Sequence, residues 1–167
     1  MKSSWHVATA AEAIAAAQFA RCGWDVSVQY GANQPEYDLA VINGSQTLKV
    51  SVKGSKDGAW GLTQSFIKNA DYQGAIDVWL GRHKPKTVLC FVQFMNVGFA
   101  ELPRLYLATP LEVAERLRAS AAGRGNTILD ERKEWTERSQ ARGTIDSIPP
   151  AWLFTEQRLA ELAHQLA

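Results

Sequence analysis

The sequence predicts an α/β fold, a central mixed β-sheet flanked by helices, with its elements in the order αβββαβ. Two observations carry this prediction. Segments with apolar residues at helical spacing alternate with short segments of alternating apolar and polar residues. Three strand patterns come early in the chain, before the next helix and a continuous apolar run of the kind found in central strands. Elements in this order are expected to form one sheet with helices packed on it.

Residues 5–22 are predicted to form the first helix. Alanine is the best helix former, apolar side chains recur here at helical spacing, and Gly23 is suited to end the helix. Glu12 is the only formal charge between Lys2 and Arg21. Because an unpaired buried charge is costly, we expect Glu12 either to face water or to be held by a partner such as a metal ion.

The next segments predict a strand and a hairpin. Residues 24–30 alternate in polarity and form the strand, and residues 31–35 form a loop. Residues 36–53 form a hairpin that turns at Asn43-Gly44, because both residues accept positive φ.

Alternation along the second strand of the hairpin separates two faces. One face is apolar, and the other carries Ser51 and Lys53, among others. In the first strand, Glu36 and Asp38 share a face by the same rule. The hairpin is therefore expected to bring one or two carboxylates and a lysine together on a polar surface, a set that suits metal-assisted chemistry on a phosphodiester.

The rest of the chain completes the predicted fold. The expected elements are a glycine-rich loop at 54–61, a helix at 63–82 that is open to division at Gly74, strands at 87–95 and 105–108, a helix from Thr109-Pro110 to about 122, an irregular segment at 123–150, and a helix at 152–166 with Thr155 as a cap. Residues 123–150 are either an ordered insertion around Trp135 or a flexible arm. We accordingly predict a core over residues 1–122, and over residues 123–167 an irregular arm with a C-terminal helix packed on the core.

Composition restricts the class of protein. The chain has 167 residues, of which 46% are hydrophobic and 21% charged, which is ordinary for a single globular domain. It contains no window of about 18 apolar residues, so we expect no membrane contact. Cys22 and Cys90 are expected to be reduced and buried, which fits a cytoplasmic location. Nothing predicts a small-molecule cofactor, and a homodimer is left open.

Charge is uneven along the chain. The net charge is +1, but residues 49–86 carry seven basic and three acidic side chains. Such a stripe beside the hairpin could meet phosphates. A solvated surface is the alternative, and on charge alone it is the favoured one.

The order of these pieces resembles the PD-(D/E)xK nuclease superfamily, which has the restriction-endonuclease-like fold. The pieces are a helix with Glu12, the Gly23-Trp24 strand entry, Asp38 on a strand, the hairpin, and a strand that ends in Val52-Lys53. Small archaeal Holliday-junction-resolvase-like nucleases are similar, and the resemblance covers roughly residues 6–95.

The resemblance implies roles for five residues. Asp38 and Glu12 would hold Mg²⁺ or Mn²⁺, together with the Val52 carbonyl. Lys53 would position the attacking water and stabilise charge on the phosphate of DNA. Gln64 matches a polar position near the phosphate. This assignment agrees with ordinary chemistry, since Mg²⁺ prefers hard oxygen ligands and usually takes only one or two carboxylates.

The sequence departs from the family pattern at Ser51, where the pattern has a carboxylate two residues before the lysine. Glu36 could supply the missing charge from the neighbouring strand, although it lies two residues beyond Asp38, roughly 6–7 Å along that strand. Pro35 also does not directly precede Asp38.

Two hypotheses follow. The first is a metal-dependent endonuclease that hydrolyses DNA, with Asp38, Lys53, Glu12 and Gln64 as catalytic residues and Glu36 as a further metal ligand. The second is a catalytically inactive relative that binds nucleic acid or a protein partner. Each residue also has a structural explanation, such as a lysine that protects a strand edge or a glutamine near a helix start.

Overall fold

The structure, a computed structural model, describes residues 3–29 and 36–167. Tyr30, the end of the predicted first strand, and the predicted loop at 31–35 lie outside the described residues. The helices are α1 (Ser4–Arg21), α2 (Tyr72–Leu80), α3 (Pro110–Ala119) and α4 (Glu156–Gln165). The strands are β1 (Asp25–Val28), β2 (Leu39–Asn43), β3 (Gln46–Ser55), β4 (Ala59–Gly61), β5 (Thr87–Gln93), β6 (Arg104–Ala108), β7 (Ile128–Asp130), β8 (Arg132–Glu134) and β9 (Ile145–Ser147).

The chain forms two compact units. The sheet unit contains residues 1–57, 84–109 and 151–167, and the insertion unit contains residues 58–83 and 110–150. The chain leaves the sheet unit after β3, returns to it before β5, leaves again after β6 and returns for α4. These boundaries differ from the predicted division at residue 122, because most of residues 58–83 and 110–122 pack with the 123–150 segment.

The predicted α/β class is confirmed by a five-stranded mixed sheet with the order β1-β2-β3-β5-β6. β1, β2 and β3 pair antiparallel, β3 and β5 pair parallel, and β5 and β6 pair antiparallel. β5 is buried along its whole length, as its continuous apolar run predicts.

One face of this sheet is covered by α1 and α4. Residues at spacings of four on α1, namely Ala11, Ala15 and Phe19, are fully buried in the same cluster as Leu39 and Val50 of the sheet. Phe154 and Leu159 of the C-terminal segment join that cluster, so the predicted packing of the last helix on the core is confirmed. Thr155 caps α4 as predicted, because its side chain accepts a hydrogen bond from the Arg158 N–H.

The insertion unit holds α2, α3 and two small antiparallel pairs, β4 with β7 and β8 with β9. The segment at 123–150 is thus an ordered insertion. The Trp135 indole N–H donates to Asp146 Oδ2 at 2.6 Å, and the Ala121 N–H donates to the same oxygen at 2.9 Å. The burial of Asp146 would by itself raise the pKa of its carboxyl, but these bonds and the Arg116 guanidinium outweigh that effect and lower it.

Four predicted elements are corrected. The hairpin turn is Gly44-Ser45, since Asn43 still pairs with Gln46 and only Gly44 needs positive φ. Residues 54–61 contain the end of β3 and the whole of β4, because β3 stays paired with β5 as far as Ser55.

The third correction concerns residues 63–82, which do not form one helix. A short 3₁₀ helix (Gln64–Phe66) is followed by a break at Asn69 and Ala70, both in left-handed conformations. Asp71 then caps α2 by accepting the Gly74 N–H, so Gly74 lies inside α2 and does not divide it. The last helix likewise begins at Glu156, later than residue 152.

Cys22 and Cys90 are separate free cysteines, with Cys90 buried and Cys22 partly exposed, and burial raises the pKa of both thiols. In the described part of the chain, no helix combines the length and apolar character that a membrane span requires.

Candidate functional site

Asp38 lies at the entry to β2, where it is held by two backbone contacts to β3. Its N–H donates to the Val50 carbonyl at 2.8 Å, and its carboxylate Oδ2 accepts the Val52 N–H at 2.6 Å. The N–H and the C=O of one strand residue point to the same side. The Val52 carbonyl is therefore directed to the side of β3 on which the Asp38 carboxylate lies.

Ser51 and Lys53 occupy the face of β3 that the sequence predicts. The pairing of β2 with β3 ends at Leu39 and Val50, and Asp38 and Ser51 each lie one residue beyond that last pair. Ser51 is only 3% exposed, whereas Lys53 is exposed. The position at which the family pattern has a carboxylate is thus buried, next in sequence to Val50 and Val52, whose backbone groups contact Asp38.

Gly54 lets α1 lie directly on β3. A Cβ atom at residue 54 would stand 2.9 Å from both the Ala11 Cβ and the Val7 carbonyl oxygen. Real Cβ atoms essentially never come so close, so a side chain here would force α1 away from the strand. The glycine therefore sets the distance between β3 and the helical turn that carries Glu12.

Glu12 reaches the neighbourhood of Asp38 and Lys53. The pKa of its carboxyl is raised, first because partial burial removes water from the charged form, and second because the Asp38 carboxylate repels it. Lys53 acts in the opposite direction and lowers it. Glu12 thus lies within electrostatic range of both Asp38 and Lys53, and the convergence of the three side chains on one site stays a prediction.

Glu36 is held elsewhere in the sheet unit. Its Oε1 accepts the Lys84 N–H at 2.7 Å, in the segment just before β5. That end of β5 pairs with the Lys49 end of β3, since Lys49 is the partner of Thr87. Glu36 as a metal ligand therefore stays a prediction, and the structure gives its carboxylate a different partner.

Gln64 belongs to the insertion unit, and its place in the site stays a prediction. It begins the 3₁₀ helix after β4, and its carboxamide packs on Gly61, where a Cβ atom would overlap it. The neighbouring Thr63 makes no side-chain capping bond.

The donor set can be compared with the needs of Mg²⁺. The hard oxygen donors are the Asp38 carboxylate, the Val52 carbonyl directed to the same side of β3, and the Glu12 carboxylate, whose pKa Asp38 affects. Mg²⁺ usually takes one or two carboxylates and keeps several waters, so this set fits. Residues 3–29 and 36–167 contain no group of three or more His, Cys, Asp or Glu side chains that could hold a metal ion. The arrangement is thus a two-carboxylate site at most, which agrees with the serine at position 51.

Gly54 is the positioning residue that sequence reasoning missed, because we assigned it to the following loop. The alternation of Leu48, Val50 and Val52 extends to residue 54 and could have placed it on the helix-facing side of β3.

No known protein family, curated protein or solved structure matches this chain.

Proposed function

We propose that this protein is a metal-dependent nuclease that hydrolyses phosphodiester bonds in DNA. One observation carries the proposal. Glu12, the single carboxylate of an alanine-rich helix, is partly buried, and both a second carboxylate, Asp38, and Lys53 are close enough to affect its pKa. Two carboxylates that repel each other in a partly dehydrated place are stabilised by a divalent cation.

The order of the elements supports the proposal. The helix that carries Glu12 is followed by three antiparallel strands, and β5 later pairs parallel to the third of them. Between β3 and β5 lie β4, the 3₁₀ helix and α2, all in the insertion unit. The αβββαβ order that the family resemblance implies, and with it a restriction-endonuclease-like topology, is part of the proposal.

Each residue has a definite task in the proposed reaction. Asp38 and Glu12, with the Val52 carbonyl, would hold Mg²⁺ or Mn²⁺. The bound cation would lower the pKa of a water molecule and offset negative charge on the phosphate. The Val52 N–H fixes Asp38 Oδ2 and so orients the carboxylate. Lys53 supplies a compact cation where charge develops on the phosphate oxygens.

A cleavage assay tests this proposal. Supercoiled plasmid, nicked duplex and branched DNA are incubated with wild-type protein in MgCl₂, in MnCl₂ and in EDTA. We expect cleavage that needs the metal and that falls by at least about 10²-fold in Asp38→Asn and in Lys53→Ala, the size of loss seen when a group that stabilises transition-state charge is removed.

Lys49→Ala is the matched control, because Lys49 is on the same strand and the same face as Lys53, four residues earlier. It removes the same charge outside the site and should leave cleavage intact. An absence of metal-dependent cleavage on all three substrates would contradict the nuclease function.

The second candidate is an inactive protein of the same fold that binds nucleic acid or a protein partner. Ser51 favours it, because this buried position carries no charge for a metal. Calorimetry with Mg²⁺ and Mn²⁺ separates the two candidates, since only the nuclease requires metal binding that is lost in Asp38→Asn.

A further inference from the structure

A groove on the insertion unit collects basic side chains. It consists of two adjoining depressions, of about 470 and 520 Å³, on either side of Asp71 at the start of α2. Its charged residues are Lys68 and Arg82 on one side, Arg124 and Arg138 on the other, and Asp71 between them. We call these five residues the cationic groove.

The composition of the cationic groove differs from that of its unit. The insertion unit as a whole carries nine basic and nine acidic side chains and is neutral. The groove has four cations and one carboxylate. That carboxylate is already engaged, because Asp71 Oδ1 accepts the Gly74 N–H at 2.8 Å to cap α2.

Other cations of the insertion unit have structural partners. Arg116 pairs with Asp146, and Arg118 pairs with Asp77. Lys133 pairs with Asp130, 3.6 Å away. Among the described residues, none of the four groove cations forms an ion pair, so their charges are left for a ligand.

Two of the groove arginines are held against aromatic rings. The Arg82 guanidinium carbon lies 4.4 Å from the centre of the Phe66 ring, and that of Arg124 lies 4.6 Å from the centre of the Tyr72 ring. Stacking of this kind fixes the plane of a guanidinium group. The Arg124 Nε–H donates to the Gly125 carbonyl at 3.4 Å, so the terminal N–H groups of Arg124 are the ones left for an acceptor. A pre-oriented guanidinium edge matches the paired oxygens of a phosphate.

We propose that the cationic groove binds the sugar–phosphate backbone of nucleic acid. Four cations spread over two depressions fit an extended chain of phosphates better than a single small anion. The lining is mostly exposed, which suits a ligand that passes through. This binding is independent of the proposed cleavage, since it uses a different unit of the chain and needs no metal.

The test measures binding by fluorescence anisotropy in EDTA, so that cleavage plays no part. The probes are a labelled 20-base-pair duplex and single-stranded DNA and RNA of equal length, between 50 and 200 mM NaCl. The variants are the double substitution Arg82→Gln/Arg124→Gln and, as matched control, Arg132→Gln/Arg142→Gln. The control arginines are exposed, lie in the same unit outside the groove, and form no ion pair among the described residues.

We expect the groove variant to lose affinity roughly two- to fivefold for each cation removed, the range for exposed charge contacts. The slope of log K against log salt on the duplex should become shallower by about 2, because each phosphate contact contributes roughly 0.9. The control should change neither quantity. The three probes show whether duplex, single-stranded DNA or RNA supplies the phosphates.

A charge-keeping variant, Arg82→Lys/Arg124→Lys, guards against misfolding. It should retain the salt slope while losing affinity, because lysine keeps the charge without the planar fork. The inference fails if wild type does not bind any of the probes, if the groove variant binds like wild type, if the control variant loses as much, or if polyglutamate competes as well as DNA. Binding in EDTA without metal-dependent cleavage would overturn only the proposed nuclease function.

Discussion

Replacing Glu12 by glutamine should make the metal-free protein more stable at neutral pH. Burial and the Asp38 carboxylate both disfavour the charged form of Glu12, and Lys53 offsets only part of this, since the net effect raises the pKa. Glutamine keeps the size of the side chain and removes the charge. We therefore expect Glu12→Gln to raise the free energy of unfolding when no cation is present.

The magnitude follows from the partial exposure of Glu12. Solvent screens a charge of this kind, so its interactions amount to about 0.2–1 kcal/mol. In a chain of 167 residues, that corresponds to a rise in Tm of about 0.4–4 °C. In excess Mg²⁺ the effect is reversed, because Glu12→Gln lacks a metal ligand. Wild type gains about 2.7 kcal/mol of unfolding free energy when the Mg²⁺ concentration is 100 times the Kd of the site.

The dependence on pH has a definite sign. Because the folded protein binds the Glu12 proton more tightly than the unfolded chain does, the stability of wild type falls as pH rises from 4.5 through the raised folded pKa. Glu12→Gln lacks this contribution. The two proteins should differ little at pH 4, and the variant should be the more stable one by pH 7.

Thermal unfolding followed by circular dichroism, in EDTA and in MgCl₂ across this pH range, measures both effects. Glu115→Gln on α3 is the control, because Glu115 is exposed and forms no hydrogen bond or ion pair among the described residues. If Glu12→Gln is less stable than wild type at pH 7 in EDTA, then Lys53 dominates the environment of Glu12, and the argument for a repulsive carboxylate pair is refuted.

Three further results are expected. Ser51→Glu puts a carboxylate at a position that is only 3% exposed, so it should lower Tm in EDTA, and Mg²⁺ or Mn²⁺ should raise the Tm of this variant by more than that of wild type. A Tm that does not change when metal is added would show that position 51 does not face a metal site. Gly54→Val should lower the free energy of unfolding by about 1–3 kcal/mol by forcing α1 away from β3, whereas Gly98→Ala, where a Cβ atom makes only ordinary contacts, should lower it far less. Equal losses of unfolding free energy in urea would refute the close packing of α1 on β3. Asp146→Asn should lower the free energy of unfolding by about 1.5–3 kcal/mol. The pKa of Asp146 is lowered by the hydrogen bonds that it accepts, so wild type should lose this stability below about pH 4 and the variant should not; acid unfolding curves of the two proteins that coincide would contradict this.

The local features of the site could be predicted from sequence. Alternation along β3 assigns Ser51 and Lys53 to one face and Val50 and Val52 to the other, and the structure has the same assignment. The lone charge of the alanine-rich helix singled out Glu12. These features depend on backbone periods of 2.0 and 3.6 residues, which each segment carries by itself.

Other features of the site depend on contacts between residues that are distant in sequence, and the local periodicity of a segment does not encode such contacts. The alternation along β3 could assign Gly54 to the helix-facing side, but its pairing with Val92 of β5 and its close contact with α1 depend on residues that are distant in sequence. The sequence predicts Gln64 at the start of a long helix, but left-handed conformations at Asn69 and Ala70 interrupt that helix.

The cationic groove shows the same division between local and long-range information. The positive stripe at 49–86 is visible in the sequence, but the groove draws Lys68 and Arg82 from that stripe and Arg124 and Arg138 from the distant segment at 110–150. A linear pattern determines which face of an element is polar or apolar. Which polar faces come together depends on the packing of α2 against α3 and of β4 against β7, because those contacts bury the apolar sides and leave the cations along one groove.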